Sequence, residues 1–332
     1  MRTHLEIPGG PPANRMGDTH APGAGRSGSL PLRDAALLAG VATLWGFNFV
    51  PIRWALDEVP PFALAALRFL LAALPMVLFV RRPRVPARLL VGYGLAIGVG
   101  QFGLLFLALR LGLPAGLSSL LMQVQVFLTI GLAAATTRDR ITPTQMAGAC
   151  VAALGLTALV AEKVGAGAAS TAVGLLLVLA AASAWAVGNV MAKVASRKHG
   201  ADVFALVVWS SLVPPLPLAL LSLWAEGGVA GLASIAHAGP VAWASVLFMA
   251  YGATLFGFAA WNRMLHRHPV GLVAPFALLV PVAGLASAAL FLGEPLSGVE
   301  AGGAAVVLAG LAVTLLGDRW RRGVALVPAA DA

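Results

Sequence analysis

Apolar positions in this chain neither alternate with polar ones, as in a half-buried strand, nor stripe one face of a surface helix. They run on without interruption for most of the chain. Ten runs stand out: residues 35–56, 61–80, 89–109, 115–136, 145–162, 173–195, 203–224, 240–261, 270–292 and 299–317. Runs of about 20 residues match the roughly 30 Å hydrocarbon core of a bilayer at 1.5 Å per helical residue. Backbone groups in lipid must pair internally, which selects helices. The predicted fold class is therefore all-α integral membrane, with ten transmembrane helices. The turns between the runs are short, so neighbours are expected to be antiparallel. Residues 1–33, rich in Gly, Pro and Arg, hold no apolar run and are expected to be a disordered cytoplasmic tail. Residues 318–332 are expected to form a second cytoplasmic tail.

Composition agrees. The 332 residues are 59% hydrophobic and 11% charged, where soluble domains carry about 25% charged residues; mean hydropathy is +0.89. The net charge of +9 raises nucleic acid as a partner, but its distribution points to the bilayer instead. With the N-terminus inside, Arg81, Arg82, Arg84, Arg88, Arg138, Arg140, Lys193, Arg197, Lys198, Arg263 and Arg267 all fall on one side, as do the arginines of both tails. The other side holds Asp57, Glu58, Glu162, Glu226 and Glu294, with Arg110 and Lys163 against them. Such a partition predicts a multi-pass protein of the cell membrane with both termini cytoplasmic. The lone Cys150 sits in an apolar run and is read as packing.

The chain repeats itself. Setting residue n beside n+155 aligns Pro114-Ala115-Gly116-Leu117 with Pro269-Val270-Gly271-Leu272, Gly148 with Gly303, and Gly155-Leu156 with Gly310-Leu311. Trp45 precedes Arg53 by the same interval as Trp185 precedes Lys193. The halves, 34–162 and 173–317, hold five spans each, so they enter the membrane in opposite directions as two inverted five-helix repeats. That arrangement is a transporter signature, with substrate held near the midplane between the halves.

Polar groups within spans are the candidate site. Arg68 lies about 10 Å below the outer end of its helix. Two readings stand: a cation for a substrate carboxylate, or an arginine snorkelling to the interface or bonding a neighbouring helix. Asn48, Gln101, Gln123, Gln125, Trp185, Asn189, Tyr251 and Thr254 complete the set, as substrate contacts or as interhelical bonds. Gln123 and Gln125 are about 200° apart around a helix, so one is expected to line the pathway and the other to bond a neighbour. Trp45, Trp185 and Trp261 are candidate cavity walls or core aromatics. No span holds a carboxylate or histidine in its middle, and no catalytic, metal or cofactor motif is present. Gly94 with Gly98, and Gly298 with Gly302, have the spacing for close helix approach. Pro51, Pro75, Pro214, Pro215, Pro217, Pro275 and Pro281 are candidate kinks.

Residues 36–317 resemble the EamA-type permeases of the drug/metabolite transporter superfamily. The stretches that carry the likeness are L-W-G-F-N-F-V-P-I-R (44–53), L-A-A-L-R-F-L-L-A-A-L-P (64–75), G-Y-G-L-A-I-G-V-G-Q-F-G-L-L-F (92–106) and L-P-A-G-L-S-S-L-L-M-Q-V-Q (113–125). They are most similar to the O-acetylserine/cysteine exporter branch, as are W-A-V-G-N-V (185–190) and L-L-V-P-V-A-G-L-A-S-A-A-L (278–290). The resemblance implies export of small amino-acid-like metabolites, with no enzyme activity. The alternatives are a broader drug or metabolite exporter, or a membrane-embedded enzyme.

Overall fold

A computed structural model describes residues 30–137, 141–165 and 169–324. Most of the N-terminal tail, with Arg2, Arg15 and Arg26, and also Arg138 and Arg140, lies outside the described residues. Among the described residues ten helices are long and apolar enough to cross a membrane. They are α1 (Leu32–Leu56), α2 (Pro61–Leu78), α3 (Ala87–Arg110), α4 (Ala115–Thr136), α5 (Pro143–Glu162), α6 (Ala172–His199), α7 (Val203–Ala225), α8 (Pro240–Arg267), α9 (Ala274–Leu292) and α10 (Gly298–Gly317). Proline marks many of the starts, at Pro31, Pro61, Pro86, Pro114, Pro143 and Pro240, where its fixed φ suits the helix and its missing N–H costs nothing. Gly293, with φ of 65°, ends α9 in the left-handed conformation that glycine adopts freely.

Three details differ from the sequence reading. Lys193, Arg197, Arg263 and Arg267 sit within helices α6 and α8, not in loops; Arg197 and Arg267 are in the last turns, where cations complement the negative end of the helix dipole. His199, His237 and His266 likewise close helices. The connection from α7 to α8 contains a short helix, Val229–His237, and the final helix runs on to Val324.

Packing partners interchange when each helix is replaced by the one five places on. The contact α1–α9 becomes α6–α4, α3–α6 becomes α8–α1, and α2–α7, α4–α9 and α5–α10 map onto themselves; all are present. The α5–α10 crossing shows why glycine recurs there. A Cβ on Gly148 would meet Gly310 O at 2.5 Å, and one on Gly310 would meet Gly148 O at 2.6 Å. Gly155 faces Gly303 O at 2.7 Å in the same way, and Gly303 faces Gly155 O. The contacts are reciprocal: each glycine backs onto the carbonyl of the other. Both helices also begin with a capping box at matching positions. Thr142 N–H donates to Gln145 Oε1 at 2.9 Å and Ser297 N–H to Glu300 Oε2 at 2.7 Å, each answered by the reverse bond.

Of the two glycine pairs singled out by spacing, one makes a close contact. A Cβ on Gly94 would meet Ser210 O at 2.6 Å and one on Gly98 would run into Pro214, so these glycines let α3 approach α7. Gly298 and Gly302 face open space: they lie on the outer face of α10, and Gly303 and Gly310 carry the crossing instead.

Candidate substrate site

Span α4 is interrupted where the sequence places glutamine. Helix Ala115–Leu121 gives way at Met122 and Gln123 and resumes at Val124. The chain tightens there through three-residue bonds: Gln123 N–H to Leu120 O at 3.0 Å, Gln125 N–H to Met122 O at 3.2 Å and Val126 N–H to Gln123 O at 3.0 Å. Span α9 breaks at the equivalent place. A 3₁₀ stretch, Ala274–Leu278, separates the turn Val270–Val273 from helix Leu279–Leu292, and Pro275 within it lacks a donor. Gln123 and its repeat counterpart Leu278 line the same cavity, of about 200 Å³.

Trp261 and Leu265 of α8, Ala274 and Ala277 of α9, and Leu311 and Leu315 of α10 supply most of the remaining wall. Gln123 is the one amide in that wall. Leu265 and Leu315 each lie two residues from the end of their span, so the cavity occupies the half of the bundle nearer the basic residues. Drug-sized ligands use about 300–1,000 Å³, so this volume suits a small metabolite. The second half builds most of the apolar wall, and the first contributes Val126 and the polar group, Gln123.

Gln125 points elsewhere, as helical geometry requires. Asn189 Nδ2 of α6 donates to Gln125 Oε1 at 2.7 Å and to Thr129 Oγ1 at 3.2 Å. This amide pair ties α4 to α6. Interhelical hydrogen bonds in membranes are worth about 0.6 kcal/mol on average and up to about 1.7. A double-mutant cycle of Gln125→Leu and Asn189→Leu, read by thermal unfolding in detergent, is expected to return a coupling energy in that range. A coupling near zero would mean the two amides do not support one another.

Arg68 does not snorkel. It is 2% exposed, its guanidinium carbon lies 3.8 Å from the ring centroid of Phe102, and its Nη2 donates to Thr254 Oγ1 at 3.0 Å. Thr254 in turn donates to Met249 O at 2.9 Å. The arginine's Nε and Nη1 are buried without a partner. A void of about 20 Å³ adjoins this cluster, bounded by Phe102, Thr254, Tyr93, Ser210 and Ser211 among others; it has room for about one water.

Thr254 owes its place to a π-helical stretch in α8, Phe248–Phe256. A matching stretch, Leu95–Gly103, widens α3 and holds the buried Gln101. Gln101 and Thr254 occupy the same position, the seventh, in their stretches. Such bulges are frequent at functional sites.

The remaining expected residues scatter. Asn48 is buried at a seam in α1, where Pro51 cannot donate to Phe47 O, and its Oδ1 has no partner. Trp185 is half-buried against the main apolar core. Tyr251 is 37% exposed, away from the buried position that Thr254 occupies. Its hydroxyl donates to Leu74 O at 3.4 Å. The structure thus places Arg68 with Thr254, Gln125 with Asn189 and Gln123 in the cavity, and does not gather them around one void.

Between the two voids stands Trp45. Its Nε1–H donates to Ala253 O at 2.8 Å, and its ring stacks on Phe258 at 5.4 Å and on Trp261 at 5.2 Å. Phe258 borders the void beside Arg68, and Trp261 borders the Gln123 cavity. Sequence reasoning named Trp45 and Trp261 but missed Phe102 and Phe258, which look like any other lipid-soluble aromatics. It also missed the pair of His268 Nε2 and Asp34 Oδ2, 2.8 Å apart and 234 positions apart in the chain.

Comparison with known proteins supplies the context. The model of the EamA-like transporter family matches residues 34–161 and again 172–316. A relative from Escherichia coli strain K12, described as a "Probable amino-acid metabolite efflux pump", is 41% identical over 293 residues, covering 88% of this chain and 98% of its own. Its namesake from Salmonella typhimurium is 43% identical over 87% of this chain and 97% of its own. A "Probable terminal-alkyne amino-acid exporter" from Streptantibioticus cattleyicolor is 29% identical over 88% of this chain and 96% of its own. A solved crystal structure superposes with a TM-score of 0.60 at 24% identity, covering 87% of this chain and 99% of its own, a likeness of fold.

Proposed function

The chain belongs to the EamA-like transporter family, and from that premise we propose that it exports small amino-acid metabolites, of the cysteine and O-acetylserine kind, from the cytoplasm by alternating access. The basic end of the bundle faces the cytoplasm, with both termini there. The two halves work as inverted repeats that rock about their shared two-fold axis. One observation carries the reading: Gln123 and Leu278 line one cavity at matching interruptions of α4 and α9, in the basic half. Broken helices at the repeat interface are where transporters of this architecture hold their substrates.

Substrate enters from the cytoplasm and bonds Gln123, with Trp261 as the wall behind it. Arg68 is the receptor for the carboxylate, reached once Trp45 and its aromatic partners shift. Its Nε and Nη1 carry N–H groups with no partner, charge-assisted donors that a carboxylate accepts. Gln101 and Asn48 bond the polar remainder, and Gln125 with Asn189 holds α4 in place for Gln123.

The apolar wall favours a second reading, a broader exporter whose substrates include amino acids with apolar side chains. Counterflow in proteoliposomes separates the two. Vesicles loaded with cysteine or O-acetylserine are expected to exchange with labelled cysteine, and Gln123→Leu to slow the exchange by roughly tenfold, the equivalent of about 1.4 kcal/mol. Exchange confined to leucine-like amino acids moves the conclusion to the second reading. If no amino acid exchanges, both readings fall.

A further inference from the structure

Four of the five acidic residues that mark one side of the membrane in the sequence, Glu58, Glu162, Glu226 and Glu294, have a second task in the structure. Glu226, at the end of α7, accepts from Phe62 N–H at 2.7 Å through Oε1 and from Ala63 N–H at 3.1 Å through Oε2. These are the first free donors of α2, because Pro61 has none. Glu294, at the end of α9, accepts from Ala115 N–H and Gly116 N–H at 3.1 Å each, the first donors of α4. Glu58 accepts from Gly239 N–H at the start of α8. Ser297 Oγ at the start of α10 donates to Glu162 Oε1 at 2.7 Å. Every one of these four contacts joins one half of the chain to the other, and all lie at the acidic end, opposite the cavity.

A carboxylate that takes both leading N–H groups of a helix is charge-assisted and favoured by the helix dipole. Such a bond is strong while made and has no intermediate geometry: the helix end is seated on the carboxylate or it is released into water. That is the behaviour of a latch, which a motion between halves can break without unfolding either half.

We propose that Glu226 and Glu294 are the outer gate, positioning residues that hold the acidic end shut by seating α2 and α4 of the first half on the second while the Gln123 cavity loads. Opening outward lifts both helix ends off their carboxylates, and water replaces them. The proposal deepens the export reading, because α4 is also the helix that carries Gln123. Seating its end against Glu294 fixes the depth of the glutamine in the cavity, and releasing it moves the substrate's amide partner.

The test reads distances, so it does not depend on knowing the substrate. In the full chain with Cys150→Ser, in lipid nanodiscs, spin labels are attached through Leu111→Cys and Leu296→Cys, 41% and 40% exposed at the acidic end on opposite halves. A second pair uses Leu78→Cys and Arg267→Cys, exposed at the basic end. Glu226→Ala with Glu294→Ala is expected to move the main population of the outer distance out by roughly 5 Å, the scale of a one-turn shift between packed elements. The inner distance should shorten in step. Glu226→Gln, which keeps one acceptor, is expected to give a smaller outward population, and it serves if the double variant does not fold. A lowered unfolding temperature with both distances unchanged overturns the gate and leaves simple helix caps. Failure of counterflow with every amino acid, with the distances shifting as expected, retains the gate and removes only the substrate.

Discussion

Gly310→Leu lowers the midpoint of thermal unfolding in detergent by roughly 5 °C, whereas Gly302→Leu, eight positions earlier on the same helix, leaves it within about 2 °C. The contrast follows from which face each glycine occupies. A Cβ at Gly310 would sit 2.5 Å from Ala152 N and 2.6 Å from Gly148 O, and backbone cannot step aside as a flexible side chain can. The helices must part, and overpacking of this kind costs about 1–3 kcal/mol before the loss of neighbouring contacts. At about 2 °C per kcal/mol, the end of the range that a chain of 332 residues approaches, the larger end of that cost gives the stated shift. Gly302 meets nothing within 4 Å. Because Gly148 and Gly310 share one contact, Gly148→Leu added to Gly310→Leu is expected to cost much less than a second full penalty. Additive losses would show that the crossing is not the reciprocal contact described. Scanning calorimetry or a fluorescent melt of the purified variants decides it.

The sequence made the scaffold legible because the scaffold is periodic. Span length, charge partition and the 155-residue offset each act over many residues, so they survive any single ambiguity. The offset even paired Gly148 with Gly303 and Gly155 with Gly310. It could not say that Gly148 touches Gly310, because identity under a repeat and contact across its axis are different relations. Spacing by four misled at Gly298 and Gly302, since it marks one face of a helix without saying whether that face meets a neighbour. Helical angle did separate Gln123 from Gln125, and the structure sends one to the cavity and the other to Asn189.

Arg68, Gln123 and Gln125 do not line one void in this structure. Arg68 meets Thr254 across 186 positions, by way of a π-helical turn that no local pattern announces. Tyr251, three residues from Thr254 in the same stretch, is exposed where Thr254 is buried. The acidic residues were visible from the outset, but only as markers of topology. Their role as seats for α2, α4 and α8 depends on distant backbone donors, which composition and periodicity do not record.

Arg68→Gln is expected to reduce transport about 100-fold while raising the unfolding temperature of the substrate-free protein. The two effects have one cause. Arg68 is a buried cation stacked on Phe102, with one bond to Thr254 and two partnerless nitrogens, and among the described residues no ion pair is recorded for it. A buried charge without a counterion costs several kcal/mol, so the empty protein carries a strain that a neutral amide of similar reach relieves. The same lack of a counterion makes the site avid for a carboxylate. Removing one partner from a buried hydrogen-bonded charge pair costs about 2–5 kcal/mol, and the middle of that range corresponds to a few hundredfold. Arg68→Lys keeps the charge but loses the planar fork and its two donors, so it is expected to retain the strain and recover only a small part of the transport. Initial rates of counterflow, set beside melts with and without substrate, separate the outcomes. Transport that persists in Arg68→Gln, or a variant less stable than the parent when empty, would show that Arg68 serves packing against Phe102 and not the substrate.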